Sequence, residues 1–206
     1  MALLFALGSL CFVLGSLPPY FEQLDPAVVG ATFFVGSILF TSASTLQLRR
    51  SASSTAMFSR DPARVNWWSA AIQWLGTLAF NVSTFAALAA GLSQAQKQRL
   101  VWAPDFVGSG AFLVSSALAL IALGLGLAVS TRRDWGIAGL NMAGSIGFGV
   151  AAVAAFVIPT TGEPANIRWV NLGTALGGVC FFVASVWMGR STARSRPPSV
   201  ADSVPS

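Results

Sequence analysis

The 206-residue sequence has no histidine, a single lysine, a single tyrosine and two cysteines, and only 9% of its residues are charged. Each shortage excludes something. Without histidine there is no Ser-His acyl transfer and no histidine-ligated haem, and two thiols alone do not complete a zinc site. The one lysine, Lys97, lies in a polar stretch, so a retinal-type Schiff base inside a helix has no residue to form on. The acids Glu22, Asp25, Asp61, Asp105, Asp134 and Glu163 show no spacing that resembles a paired-carboxylate motif. The composition therefore points away from an enzyme, and no cofactor is expected.

The shortage of charge also rules out a soluble surface. Globular proteins carry about 25% charged residues, whereas this chain is 54% hydrophobic with a mean hydropathy of +0.69. What is present instead is a series of apolar runs. A spanning helix needs roughly 20 mostly apolar residues to cross about 30 Å of hydrocarbon. Six segments approach this: Ala2 to Leu17, Pro26 to Leu46, Trp67 to Gly91, Pro104 to Ser130, Trp135 to Ile158 and Trp169 to Gly189. The first is short, because Pro18 and Pro19 stop it. A cleaved signal peptide is a poor alternative, since there is no basic n-region or small-x-small site. Leu10 before Cys11 likewise argues against a lipoprotein signal.

Cations give the orientation, because cytoplasmic flanks retain Lys and Arg. With the N-terminus inside, the inner segments hold Arg49, Arg50, Arg60, Arg64, Arg132, Arg133, Arg190, Arg194 and Arg196, and the outer ones hold Lys97, Arg99 and Arg168. The expected location is the plasma membrane with both termini cytoplasmic. The net charge of +5 is thus a topology signal, and no nucleic-acid partner is expected. Trp67, Trp68, Trp135 and Trp187 fall at inner boundaries and Tyr20, Trp102 and Trp169 at outer ones, as interfacial aromatics do. Asp25, Asp105 and Asn171 are placed to cap their helices.

A spacing pattern runs through all six segments. Each contains Gly, then usually Ser or Thr, then Phe four residues after the Gly, then two small residues. The glycines are Gly8, Gly36, Gly76, Gly108, Gly144 and Gly177, and the phenylalanines are Phe12, Phe40, Phe80, Phe112, Phe148 and Phe181. Offsets of zero, four and seven share one helix face. In lipid, helices associate through close van der Waals contact that small residues permit, so the six glycines are expected to be helix-packing positions, each covered by a neighbour's Phe. Trp67, Gln73, Gly76, Thr77 and Phe80 align without a gap on Trp135, Asn141, Gly144, Ser145 and Phe148.

The fold class expected is therefore all-α: a polytopic six-helix transmembrane bundle built from three tandem helical hairpins. Residues 1–46 form the first hairpin with its short first helix, 47–66 a basic cytoplasmic loop, 67–130 the second hairpin, 131–189 the third, and 190–206 a disordered cytoplasmic tail. The first hairpin lacks the upstream Trp and amide of the others, which suggests a start codon placed downstream of the true one.

The polar residues inside the spans are neutral. Gln73, Thr77, Asn81 and Thr84 form a stripe on the third helix, and Asn141 and Ser145 are their counterparts on the fifth. They suit either a pocket for a polar uncharged solute or hydrogen bonds between helices. Cys11 and Cys180 occupy equivalent positions and read as small buried hydrophobes.

The stretch from Trp67 to Leu120, with WWSAAIQWLGTLAFNVSTFAAL followed by WAPDFVGSGAFLVSSALAL, resembles the small bacterial membrane proteins with a YrhK-like domain, a two-helix unit with Gly-Ser and Phe in each helix. The resemblance implies no biochemical activity and no functional residues. Two functions stay open: a non-enzymatic packing or interaction component of the membrane, or a facilitative carrier or channel for a small neutral or lipophilic molecule. The expected partners are the lipid bilayer and a second copy or another membrane protein.

Overall fold

The chain punctuates its helices with proline and with side-chain caps. In the computed structural model, which describes residues 1–52, 62–126 and 130–194, α1 (Ala2–Ser16) ends where Pro18 and Pro19 begin the single turn α2 (Pro18–Phe21). Asp25 Oδ1 accepts the amide of Ala27 at 2.8 Å and opens α3 (Pro26–Ala52). After α4 (Pro62–Ala86), reciprocal bonds between Ser93 and Gln96 start the short α5 (Gln94–Gln96). It passes through a π-helical turn, Lys97–Trp102, into α6 (Ala103–Gly124). Thr131 and Asp134 form the same kind of box at α7 (Arg132–Ala154). Asn166 Oδ1 accepts the amide of Trp169 at the start of α8 (Ile167–Arg194).

Several expected boundaries move. The segment 47–66 is helical at both ends, because α3 runs on to Ala52 and α4 already starts at Pro62. Leu48, Arg49 and Arg50 are good helix formers, and proline suits a first helical position. Residues 53–61 of that expected loop lie outside the described residues. The outer loop around Ser93–Ala103 is helical, so Asp105 sits well inside one continuous run from Gln94 to Gly124 and caps nothing. Asn171 lies inside α8, and Asn166 is the residue that caps it. The tail expected to be disordered from residue 190 is helical to Arg194, and residues 195–206 lie outside the described residues.

Among the described residues, four helical stretches are long and apolar enough to cross a membrane: Pro26–Ser51, Gln94–Gly124, Arg132–Ala154 and Ile167–Arg190. At 1.5 Å per residue α1 spans only about 22 Å, and α4 is long but diluted by Arg64, Asn66, Gln73 and Asn81. The chain is an all-α, multi-span membrane protein. Its burial pattern is that of a bundle in lipid: among the described residues the buried hydrophobics are Phe, Ala and Val157, with no leucine or isoleucine, while Leu7, Ile38, Leu75, Ile121, Ile146 and Leu176 point outward. Small and hydroxyl residues are inside because dispersion contact, and not escape from water, holds such helices together.

The long helices close a ring in chain order: α1 packs on α3, α3 on α4, α4 on α6, α6 on α7, α7 on α8, and α8 returns to α1. Two kinds of contact recur around it. In α1/α3, α4/α6 and α7/α8 the patterned glycines face each other. A Cβ added to Gly144 would lie 2.8 Å from the Phe181 ring and 3.1 Å from the Gly177 carbonyl oxygen. One added to Gly177 would lie 2.9 Å from Phe148 and 3.0 Å from the Gly144 oxygen. Gly8 with Gly36, and Gly76 with Gly108, show the same exchange. At α3/α4 and α6/α7 the contacts are hydroxyl pairs: Ser37 with Thr84 at 2.9 Å, Ser44 with Thr77 at 3.2 Å and Ser116 with Ser145 at 2.9 Å.

The axis of the ring is filled by the six phenylalanines of the pattern, all buried. They form two triangles. Phe12, Phe80 and Phe148 lie with ring centroids 5.6 to 6.4 Å apart, and Phe40, Phe112 and Phe181 lie 5.6 to 6.1 Å apart. The triangles are joined by pairs such as Phe80–Phe112 at 5.1 Å and Phe148–Phe181 at 5.5 Å. These separations suit edge and offset aromatic contact.

Because an added methyl at Gly108 or Gly177 meets the backbone carbonyl of the opposite glycine at 3.0 Å, Gly108→Ala and Gly177→Ala are each expected to destabilise the bundle by about 1–3 kcal/mol through overpacking. Gly110→Ala and Gly139→Ala, where nothing lies within 4 Å, are expected to leave it unchanged or slightly firmer. Thermal melting in detergent checks all four.

Candidate functional site

The helix face that carries the Phe also carries the residues seven positions before and after it, since a seven-residue step returns close to the same side of a helix. Seven before each Phe, three before each Gly, stand Phe5, Gln73 and Asn141 on α1, α4 and α7, and Phe33, Asp105 and Thr174 on α3, α6 and α8. The helices alternate in direction, so the two sets reach opposite ends of the ring. Each set lines a cavity there.

The larger cavity, of about 360 Å³, lies at the end where α4 and α7 finish. Its floor is the triangle Phe12, Phe80 and Phe148, and its walls include Phe33, Asp105 and Thr174 with Ser83, Thr84 and Ser109. The rim is built by the π-helical turn and the segment between α7 and α8. Trp102 Nε1 donates to the Ala152 carbonyl at 3.0 Å, and Lys97 Nζ donates to the Gly162 carbonyl at 3.4 Å. Gly162, at φ +73°, makes the tight turn from which Val157 pairs back on Pro164. Thr84 and Ser109 spend their hydroxyls on neighbours, Thr84 on the Phe80 carbonyl and Ser109 on that of Phe148. The Asp105 carboxylate has no hydrogen-bond or ion-pair partner among the described residues.

The opposite end holds a cavity of only about 50 Å³, lined by Gln47, Gln73 and Asn141 with Phe5, Phe181 and Met188. Phe5 occupies the position that Asp105 holds at the far end, and its ring meets Phe40 edge-on at 5.4 Å. Both Phe triangles lie between the two cavities.

The polar residues singled out in the sequence divide between these settings. Gln73 and Asn141 both line the small cavity, and Gln73 Oε1 accepts from Ser115 Oγ at 3.5 Å. Thr77 and Asn81 instead face α3: Thr77 Oγ1 donates to the Trp74 carbonyl at 2.7 Å and lies 3.2 Å from Ser44 Oγ, and Asn81 Nδ2 donates to Thr41 Oγ1 at 2.9 Å. Trp74 Nε1 continues the same zipper to Thr45 Oγ1 at 3.0 Å. Asn81 Oδ1 is buried without a partner among the described residues. Ser145 donates to the Asn141 carbonyl at 2.8 Å and pairs with Ser116. Gly8, Gly36, Gly76, Gly108, Gly144 and Gly177 all sit at helix contacts. Cys11 and Cys180 are free thiols.

The residues that the sequence reading missed are Asp105, Phe33 and Thr174, with Lys97 and Trp102 at the rim. The alignment of Gln73 on Asn141 contained the signal, because carrying that offset to the intervening helices selects Phe33, Asp105 and Thr174 directly. No family model, no curated protein and no solved structure matches the chain.

A double-mutant cycle on Ser44→Ala and Thr77→Val, read by melting, is expected to give a coupling of about 0.6 kcal/mol and no more than ~1.7 kcal/mol, the range for hydrogen bonds between helices in a membrane.

Proposed function

We propose that the chain is a non-enzymatic six-span membrane protein, a closed ring of three tandem hairpins (α1/α3, α4/α6 and α7/α8) that serves as a packing or interaction component of the membrane. The observation that carries this reading is the pair of Phe triangles filling the axis between the two cavities. A conduit needs a continuous polar path, and here Gln73 and Asn141 lie on one side of the aromatic layers while Asn81 is turned toward α3. The Gly–Phe spacing common to all six helices favours an origin by repetition of one two-helix unit. The likeness to YrhK-like proteins fits that unit and assigns it no activity. The cation distribution favours cytoplasmic termini, and the outward Leu, Ile and Val side chains supply a surface for lipid and for a second copy or another membrane protein.

A second reading, a facilitative carrier, is favoured by the inequality of the two cavities, about 360 Å³ against about 50 Å³, on either side of layers that related antiparallel helices contribute. Inverted repeats open to one side are a common basis for alternating access.

Proteoliposomes distinguish the two. The sealed reading expects glycerol, urea and glucose to equilibrate no faster than in empty vesicles, and expects Phe112→Ala with Phe181→Ala to raise leakage. Saturable uptake by the unaltered protein would support the carrier and end the sealed reading. For topology, single cysteines at Ser93 and Thr160 in a Cys11→Ala, Cys180→Ala background should react with impermeant maleimide from outside the cell, and cysteines at Ser51 and Thr131 should react only after lysis.

A further inference from the structure

We propose that the larger cavity is a binding site for a lipophilic monocation, an aryl- or alkylammonium, with the Asp105 carboxylate as its counter-ion. This deepens the functional reading by assigning a ligand to the larger of the two end cavities, and it does not depend on whether the Phe layers ever part.

Charge comes first. An ionisable side chain within a spanning helix is costly and normally pairs with another group or faces a site that uses it. Asp105 lies within the membrane-length run Gln94–Gly124, in a cavity wall that is otherwise mostly apolar, and has neither an ion pair nor a hydrogen bond among the described residues. Its seam equivalents Phe33 and Thr174 bring no charge to it. The cation nearest in the lining, Lys97, is committed to the Gly162 carbonyl at the rim. Glu163, beside that glycine, adds negative charge at the mouth. Counted together, Lys97, Asp105 and Glu163 leave the lining with a net negative charge, and the one lining cation bonds to a neutral carbonyl and not to Asp105.

The walls specify the rest of the ligand. Phe12, Phe80 and Phe148 present a closed aromatic floor, and Trp102 adds an indole whose N–H is already engaged with Ala152. Aromatic faces attract ammonium ions as well as apolar groups. Ser83 also lines the cavity, and its hydroxyl has no partner among the described residues, which leaves one neutral acceptor for an N–H. A volume of about 360 Å³ is at the compact end of small-molecule pockets, which run from about 300 to 1,000 Å³. A single ring system with a short amine tail fits these limits. A strongly hydrated inorganic cation does not, because the apolar walls cannot replace its water.

The test is equilibrium binding to the full-length purified protein in lipid nanodiscs, by calorimetry at pH 7, with three probes of one shape: 4-phenylbutylammonium, 4-phenylbutan-1-ol and 4-phenylbutyrate. An alkylamine with a pKa of about 10 is cationic at this pH. Empty nanodiscs correct for partition into lipid. The expected result is saturable binding of the ammonium, binding of the alcohol at least tenfold weaker, and no binding of the carboxylate. Asp105→Asn should lower ammonium affinity at least tenfold, to the level of the alcohol, and leave the alcohol within twofold. Asp105→Glu should recover part of the loss. If Asp105→Asn does not fold, the three-probe series on the unaltered protein decides. Alcohol binding as tight as the ammonium, preference for the carboxylate, or no saturable binding of any probe overturns the proposal. Vesicle flux is measured separately, so a leaking bundle that binds the ammonium, and a sealed one that does not, are told apart.

Discussion

The rest of the structure depends on backbone meeting backbone at three glycine pairs. Gly8 with Gly36, Gly76 with Gly108 and Gly144 with Gly177 bring antiparallel helices so close that a single added carbon would press on the opposite carbonyl. That approach sets where the next turn of each helix can put its side chain, and the Phe four residues on lands over the partner's glycine. The same ring then reaches the axis, where it meets rings from the other pairs. One local constraint, repeated, thus fixes the spacing within each pair and fills the centre. The force is dispersion at contact distance, which is why the positions are sensitive to one methyl group and indifferent to hydrophobicity as such.

The contacts between pairs follow a different rule. Ser37, Ser44, Thr77, Thr84, Ser116 and Ser145 meet across α3/α4 and α6/α7, and all of these hydroxyls but that of Ser116 also bond to a carbonyl of their own helix, Ser145 to one of the neighbour as well. Hydroxyls of this kind satisfy themselves locally whether or not the neighbour is present, so they align pairs without binding them strongly. At α1/α8 the equivalent Ser9 and Ser185 bond only to carbonyls of their own helices. The backbones nevertheless come close there too, since a Cβ added to Gly178 would lie 3.1 Å from the Ser9 carbonyl oxygen and 3.2 Å from the Val13 amide nitrogen.

The two end cavities differ in the seam positions one heptad before each Phe. At the small end Phe5 and Met188 leave Gln73 and Asn141 a cleft of about 50 Å³. At the large end the π-helical turn Lys97–Trp102 and the turn at Gly162 stand back from the axis and frame about 360 Å³ around Asp105. An extra residue in a helical turn displaces the register of what precedes it, and such turns recur at binding sites. Here it places Lys97 and Trp102 on the rim, where each bonds to a backbone carbonyl across the cavity mouth.

Much of this was legible in the sequence. The scarcity of charge and the length of the apolar runs dictate helices in lipid, since only there can such a chain satisfy its backbone without a polar surface. The Gly–Phe spacing dictates which helix face is inside, because side-chain direction repeats with helical period. What the sequence reading misplaced were residues whose meaning depends on a neighbour in space. Asp105 read as a helix cap because the polar residues before it looked like a loop, and only the continuation of the helix back to Gln94 put its carboxylate in a wall. Asn81 and Gln73 share one stripe on α4, yet one turns to α3 and the other to the small cavity. Which end cavity is the larger, and which charge is left unpaired in it, was decided by tertiary structure alone, since periodicity fixes a side chain's direction from its own helix and says nothing of what another helix brings to meet it.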